Sequence, residues 1–213
     1  MSPVKLEIVQ AGNPVLRQRA RALSVAEIRS SEIRKLIEAM RVCMHEAPGV
    51  GLAAPQLGLA LQLAVIEDRE DYHKDVSEAL LKERERRPVP FHAIINPVLE
   101  EMAEEQAEFF EGCLSLSGFT ALVPRARAVR VTCLDERGEH RTIEASGWYA
   151  RILQHEIDHL NGTLYIDRMR TRSFTSMDNL AAFWKGKPVS EIKAELEINR
   201  VVQSDNPART ASS

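Results

Sequence analysis

A chain of 213 residues with 44% apolar and 28% charged side chains carries enough apolar material for one hydrophobic core, which excludes a disordered or low-complexity polymer. A net charge of -3 gives no electrostatic footprint for nucleic acid. No apolar run is long enough to span a membrane as a helix, and the start, Met1-Ser-Pro-Val-Lys-Leu-Glu-Ile8, has neither a signal h-region nor the composition of a transit peptide. The expected location is the cytoplasm, or an organellar matrix if a targeting segment has been removed.

In chain order, the first helix signal is Ser24-Val-Ala-Glu27, a capping box, behind which Ile33, Leu36, Ile37, Met40, Cys43 and Met44 recur at helical spacing. This predicts one helix from residue 25 to about 46, ended by Pro48 and Gly49. Gly49 to Gly58 reads as a small-residue loop, and Leu61 to Ile66 as a buried strand. Residues 68 to 90 are strongly charged and close with Pro88 and Pro90, which predicts an exposed, partly helical excursion. Ala93 to Leu99 is the next strand. Ala128 to Leu134 and His140 to Ala145 flank Asp135-Glu-Arg-Gly138 as a hairpin. Gly147 to Leu160 is a helix stopped by Asn161-Gly162. Leu164 to Met169 reads as a short strand, and 190 to 199 as a last helix with Val189, Ile192 and Leu196 on its apolar stripe. Residues 203 to 213 are expected to be a disordered tail. The fold class is therefore α+β, with short antiparallel sheets around a central helix. Residues 1 to 170 are expected to form the main domain and 171 to 202 a partly helical C-terminal extension.

Three cysteines cannot all pair, and no secretory signal suggests a disulfide framework. Cys43 lies in a helical pattern and Cys133 in a strand pattern, so both read as small buried apolar residues. Cys113, between Gly112 and Leu114 in a loop-like stretch, is the cysteine with chemical promise.

The strongest local motif is His155-Glu156-Ile157-Asp158-His159. On a helix the two histidines project from one face and can grip one metal ion, with Glu156 beside them. A divalent ion lowers the pKa of a bound water toward neutrality, and a glutamate there can take that proton and later pass it to a leaving amine. The same pattern also arises by chance on surface helices. Here Ile152, Leu153, Ile157 and Leu160 surround it with apolar side chains and predict a buried helix, where such a polar load without a metal would be costly. A catalytic site needs a third ligand. The nearest downstream carboxylate, Asp167, is eight residues past His159, and no histidine follows. Upstream, Glu111-Gly-Cys113-Leu114-Ser115 offers a thiolate on a glycine-preceded loop. A third segment, Gly49-Val50-Gly51-Leu-Ala-Ala-Pro-Gln56, suits close backbone approach, and the Gln56 amide can donate to a developing oxyanion.

Together, Gly49–Gln56, Glu111–Ser115 and Gln154–His159 resemble the three signature motifs of peptide deformylases, in the family's order and near its spacings. The likeness runs over roughly residues 6 to 180. Gly118-Phe119, Val123-Pro-Arg125, Ala145-Ser-Gly-Trp148 and Ala150-Arg-Ile-Leu-Gln154 resemble the branch that includes plant and animal organellar forms, and the missing transit peptide suggests a bacterial member of it or a trimmed organellar one. The resemblance implies that Cys113, His155 and His159 bind one divalent metal, ferrous iron with zinc, nickel or cobalt as substitutes. It implies Glu156 as general base and acid, and the Gln56 side chain and Leu114 N–H as oxyanion donors. An N-formylmethionyl nascent peptide would pair with backbone near Val50, Gly51 and Gly112, its methionine in a pocket near Val50, Glu111, Trp148 and Ile152. Transient ribosome association and a homodimer are further expectations. Two departures stand out: Leu116-Ser-Gly118 where many bacterial members carry Val-Pro-Gly, which touches the cleft rim, and Ile157 where methionine is common, a conservative swap.

Two other classes compete. A metalloendopeptidase would use the same helix logic but need a third ligand downstream of His159, which is absent. A metal-stabilised, non-enzymatic ribosome-associated module would need neither Glu156 nor Gln56.

Overall fold

In the computed structural model, residues 6–202 are described except Pro48, Asp75 and Ala103, and of 197–202 only the backbone. The tail expected to be disordered, 203 to 213, lies outside the described residues.

The capping box at Ser24 forms, but it opens a short helix, α1 (Val25–Ile28). Ser30 then repeats the device by accepting from the Ile33 N–H, and opens α2 (Ser31–Glu46). The single helix expected over 25 to 46 is thus two, because a second N-cap serine interrupts it. The buried stripe of α2 is Ile33, Ile37, Met40 and Met44, with Leu36 and Cys43 at its margin. β1 (Gly51–Ala53) and β2 (Leu63–Asp68) come next, joined through a 3-10 turn at Ala54–Leu57.

The charged excursion holds a 3-10 turn at Glu70–His73 and α3 (Glu78–Glu83), so it is partly helical as expected. It is not simply exposed. Buried Asp68 accepts two hydrogen bonds from Arg86, each 2.8 Å, and these tie the end of the excursion back to β2.

β3 (Val89–Glu101) extends beyond the Ala93–Leu99 strand at both ends. β4 (Gln106–Gly112) and β5 (Phe119–Ala126) were not among the expected strands. β6 (Ala128–Leu134) and β7 (His140–Ser146) form the expected hairpin, and α4 (Gly147–Leu160) has the expected limits. The strand expected at Leu164–Met169 is instead a 3-10 turn, Tyr165–Asp167. Its cause is local: the Asp167 carboxylate accepts from the Leu164 N–H at 2.8 Å and curls the chain. β8 (Thr175–Ser176), α5 (Met177–Asn179), a π-helical turn at Leu180–Trp184 and α6 (Val189–Val202) complete the chain. On α6, Ile192 is buried and Leu196 half-buried.

Two antiparallel sheets result, one ordered β1-β2-β3-β6-β7 and one ordered β4-β5-β8. The five-stranded sheet is buried on both faces at its centre. Along β2, Leu63 and Val65 join the cluster under α2, whereas Ala64 and Ile66 join the cluster under α4, following the two-residue period of a strand. From α4, Leu153, Ile157 and Leu160 enter that second cluster. The C-terminal extension is continuous with the body, since β8 pairs with β5 through Phe119↔Ser176 and Thr120↔Thr175.

Tyr149, on the first turn of α4, fixes the helix to β3. Its hydroxyl lies 2.9 Å from Nε2 of His92, whose Nδ1 lies 2.8 Å from the Pro90 carbonyl. The carbonyl requires Nδ1–H as donor, which in a neutral imidazole leaves Nε2 to accept from the tyrosine hydroxyl. Burial pushes the His92 pKa down, in keeping with that form.

Candidate metal centre

The helical repeat of α4 turns His155 and His159 toward one side, their ring centroids 5.0 Å apart. Cys113 comes directly after the last residue of β4, in a turn closed by the Leu116 N–H donating to the Cys113 carbonyl at 3.0 Å. Its Sγ lies 3.3 Å from His159 Nε2. The sulfur and one ring nitrogen from each histidine all lie within 4.8 Å of one another, close enough to share one ion.

Each imidazole is prepared differently. His155 Nδ1 is 3.0 Å from Oε2 of Glu111, which leaves Nε2 toward the cluster. His159 is buried, and burial pushes its pKa well down, so it is neutral and able to ligate; its Nδ1 has no partner among the described residues. Burial opposes a charge on His155 too, but the bonds to Cys113 and Glu111 outweigh it and raise its pKa well above 6.5. The pocket between thiol and carboxylate thus attracts positive charge, and a thiol with two imidazoles is a donor set that a divalent ion fits.

Glu111 has a larger task than its expected place in the methionine pocket. It is 5% exposed, and its carboxylate accepts from Arg125 at 3.0 and 2.9 Å and from Arg151 at 2.6 Å, besides facing His155. Burial pushes its pKa up, but the His155 bond and the Arg125 charge pull it well below the usual carboxylate range. Arg125 continues the network to Asp158 at 2.5 Å, and Arg168 grips the same carboxylate at 2.7 Å. The residues flanking the motif therefore hold the histidine face in register.

Glu156 sits beside the cluster, 3% exposed, and its Oε2 has no partner among the described residues. Burial pushes its pKa up to about 7. Across from it, Gln56 is orientated by its own backbone: Oε1 accepts from the Ala53 N–H at 2.9 Å, so the amide NH2 faces Cys113 Sγ at 3.5 Å and Ser115 Oγ at 3.4 Å. Among the hydrogen bonds of the described residues, none uses the Leu114 N–H.

Eleven of the twelve residues singled out from the sequence line one cavity of about 670 Å³; the twelfth, His159, lies behind Cys113. Val50, Gly51 and Gln56 come from the β1 segment, Glu111 to Leu114 from β4 and its loop, and Trp148, Ile152, His155 and Glu156 from α4. The cavity thus lies between β1 and β4, which are edge strands of their sheets. Trp148 forms one wall, edge-on to Phe109 with centroids 6.4 Å apart. The guanidinium groups of Arg84 and Arg86 lie 4.8 and 5.4 Å from its ring centroid. Sequence reasoning missed both arginines; they belong to a charged segment with no periodic signal. A separate, more polar cavity of about 350 Å³ lies around Asp158 and Arg168, and neither Cys113 nor His155 lines it.

A model of the polypeptide deformylase family matches residues 5–174. The chain is 48% identical over 174 residues to a peptide deformylase 1A, chloroplastic, of Solanum lycopersicum, covering 82% of this chain and 63% of that protein's length. It is 46% identical over 179 residues to peptide deformylase 3 of Streptomyces avermitilis, covering 84% and 78%. Among solved structures, a Met-Ala-Ser-bound class I type b peptide deformylase from Acinetobacter baumannii superposes with a TM-score of 0.69 at 31% identity, over 78% of this chain and 99% of that one. Among the described residues, no helix is long and apolar enough to cross a membrane.

Proposed function

This chain belongs to the polypeptide deformylase family, and from that membership we propose that it removes the N-formyl group from the N-terminal methionine of newly made polypeptides. One observation carries the reading: a thiol and two imidazoles within 4.8 Å of one another share a cavity with a buried glutamate whose Oε2 is unpaired.

Members of this family depend on a metal. In this chain Cys113, His155 and His159 would hold it, with ferrous iron as the proposed ion and zinc, nickel or cobalt able to replace it. When bound, the ion supplies Lewis acidity to water and to the formyl oxygen.

The remaining work falls to the chain itself. A formylated peptide lies extended between the edges of β1 and β4, pairing with backbone at Val50, Gly51 and Gly112. Its methionine side chain enters the slot walled by Trp148 and Ile152. Glu156 takes a proton from the attacking water; as the tetrahedral carbon collapses, it returns that proton to the amine. Water and amide thereby become formate and a free N-terminus. The Gln56 NH2 and the Leu114 N–H donate to the oxyanion.

On this reading the protein acts where chains are made, transiently at the ribosome, in the cytoplasm or an organellar matrix, and self-associates as a homodimer. The deciding experiment is formate release from formyl-Met-Ala-Ser by anaerobically purified protein, with metal analysis of the same sample. Stoichiometric metal with formate release supports the reading. Metal-loaded protein that releases no formate overturns it, and internal cleavage of unformylated peptides would assign an endopeptidase instead.

A further inference from the structure

The chain ahead of every motif that builds the site passes directly beside it. Ile8 and Gln10 line the same cavity as His155 and Glu156. This segment is tied to both segments that supply the proposed oxyanion donors. The Val9 N–H donates to the Gln56 carbonyl at 2.8 Å, and the Ala11 N–H donates to the Ser115 carbonyl at 2.8 Å. Residues 8 to 11 thus form a strap between the Gln56 turn and the loop that carries Cys113.

Gln10 adds side-chain bonds to that loop. Its Nε2 donates to the Leu114 carbonyl at 3.0 Å and to the Ile8 carbonyl at 3.4 Å, and its Oε1 accepts from the Ser117 N–H at 3.4 Å. Among the described residues no other group donates to the Leu114 carbonyl. That carbonyl and the Ser115 N–H belong to one peptide unit, and the Ser115 N–H donates to Cys113 Sγ at 3.4 Å. A planar amide therefore links Gln10 at one end to the sulfur at the other. Bonds in such a chain polarise one another, so a donor on the carbonyl strengthens donation to the thiolate. The preceding peptide unit carries the unused Leu114 N–H, and the Leu116 N–H holds it through the Cys113 carbonyl at 3.0 Å. The two planes share the Leu114 Cα, so freeing either lets the Leu114 N–H turn. The departure at Leu116-Ser-Gly118 gains a role here, because proline at 117 would have no N–H for Gln10.

We propose that Gln10 is a positioning residue for deformylation. It locks the Leu114–Ser115 peptide unit, and so keeps the Leu114 N–H aimed at the oxyanion and the Ser115 N–H at the metal-binding sulfur. This rests on the cavity being the deformylation site. An oxyanion donor is effective because it needs no reorientation as charge develops. Loss of that order acts on the transition state, so it lowers kcat and leaves KM, which follows the backbone pairing at Val50, Gly51 and Gly112.

The test compares wild type with Gln10→Leu and Gln10→Glu. Leucine fills a similar space without polar atoms, whereas glutamate at neutral pH keeps the acceptor for Ser117 but has no donor for Leu114. Kinetics on formyl-Met-Ala-Ser use anaerobically purified, metal-loaded protein, and amide exchange by NMR uses the same chains loaded with zinc. Thermal melting establishes that each variant folds. The expected result in both variants is a fall in kcat of about 5-fold, the worth of one hydrogen bond, with KM within about 2-fold of wild type. Exchange of the Ser115 amide should quicken by a similar factor, about 5-fold, as the peptide unit is released. Wild-type kcat in either variant, or Ser115 exchange at the wild-type rate, overturns the proposal and leaves the deformylase reading standing. A loss carried by KM marks direct contact between Gln10 and the peptide and also overturns it. If wild type hydrolyses no formylated peptide, the deformylase reading fails separately. Ser115 exchange then decides alone whether Gln10 locks the loop: faster exchange in both variants supports that, and an unchanged rate overturns it.

Discussion

The side chain of Glu156 lies directly over Gly51. A Cβ placed on Gly51 would overlap the Glu156 carboxylate, 2.5 Å from its Cδ and 2.8 Å from its Cγ. Residue 51 therefore cradles the proposed proton carrier, and hydrogen is the only side chain that leaves Glu156 in place. Gly51→Ala should displace the carboxylate and lower kcat by at least about 100-fold with metal retained, as should Glu156→Gln, which removes the proton function while keeping shape. Formate release, metal content and melting temperature on one preparation check this. Normal turnover with metal bound would remove Glu156 from the mechanism.

Cys113→Ala should lose the metal and the activity together, since a thiolate is the charged ligand of the cluster. Cys43→Ala and Cys133→Ala should keep full metal content: both residues pack in apolar clusters away from the cavity. Elemental analysis of the three variants decides, and full metal in Cys113→Ala would refute the ligand assignment.

Glu111→Gln tests whether the carboxylate orientates His155. The substitution leaves Arg125 and Arg151 buried with less negative charge between them, so unfolding free energy should fall by about 3–5 kcal/mol. Metal affinity should fall by about 10- to 100-fold through the lost support of His155. Chelator competition and denaturant unfolding measure the two effects separately. Unchanged metal affinity would limit Glu111 to a structural role.

Arg84 bears on Trp148. Its guanidinium lies against that ring, burial pushes its pKa down to about 10, and its Nε has no partner among the described residues. Such a placement holds the indole as a wall. Arg84→Leu should raise KM for formyl-Met peptides about 5-fold with little change in kcat, a loss of the order of one cation–π contact. Trp148→Ala should relax the preference between methionine and bulkier first residues. Kinetics on formyl-Met and formyl-Phe peptides provide the check; an unchanged KM in Arg84→Leu together with an unchanged preference in Trp148→Ala would leave Trp148 a packing residue only.

His92 gives a pH test away from the metal ligands. Its folded pKa is depressed below the ordinary 6.5, so above that pH neither folded nor unfolded chain protonates it. As pH falls below 6.5 the unfolded chain gains a proton that the folded chain resists, and stability drops until the folded pKa is reached. The stability of wild type relative to His92→Gln should therefore be greatest near pH 8 and shrink toward pH 5. Urea unfolding at both pH values measures it, and taking the difference cancels acid effects common to the two proteins. A gap that widens at low pH would contradict the neutral tautomer.

The sequence by itself determined the features that depend on short-range period. His155 and His159 share a face because four residues make just over one helical turn, and the limits of α4 come from its apolar spacing and its Asn161-Gly162 stop. β2 and the β6–β7 hairpin were legible for the same reason. Three short motifs placed Cys113, Gln56 and Gly51 near the histidines only through their likeness to a family, since no local pattern links residues so far apart. Where local chemistry was finer than the period, the expectation slipped. Ser30 split one helix into two, and Asp167 curled a strand into a turn. Only the tertiary structure decided the partners of Glu111, which lie 14, 40 and 44 residues away. It also decided the seating of Arg84 and Arg86 against Trp148 and the entry of Met177 into the cavity. Those contacts exist because two sheets and one helix converge, and a buried charge or an aromatic wall finds its partner by that packing and not by spacing along the chain.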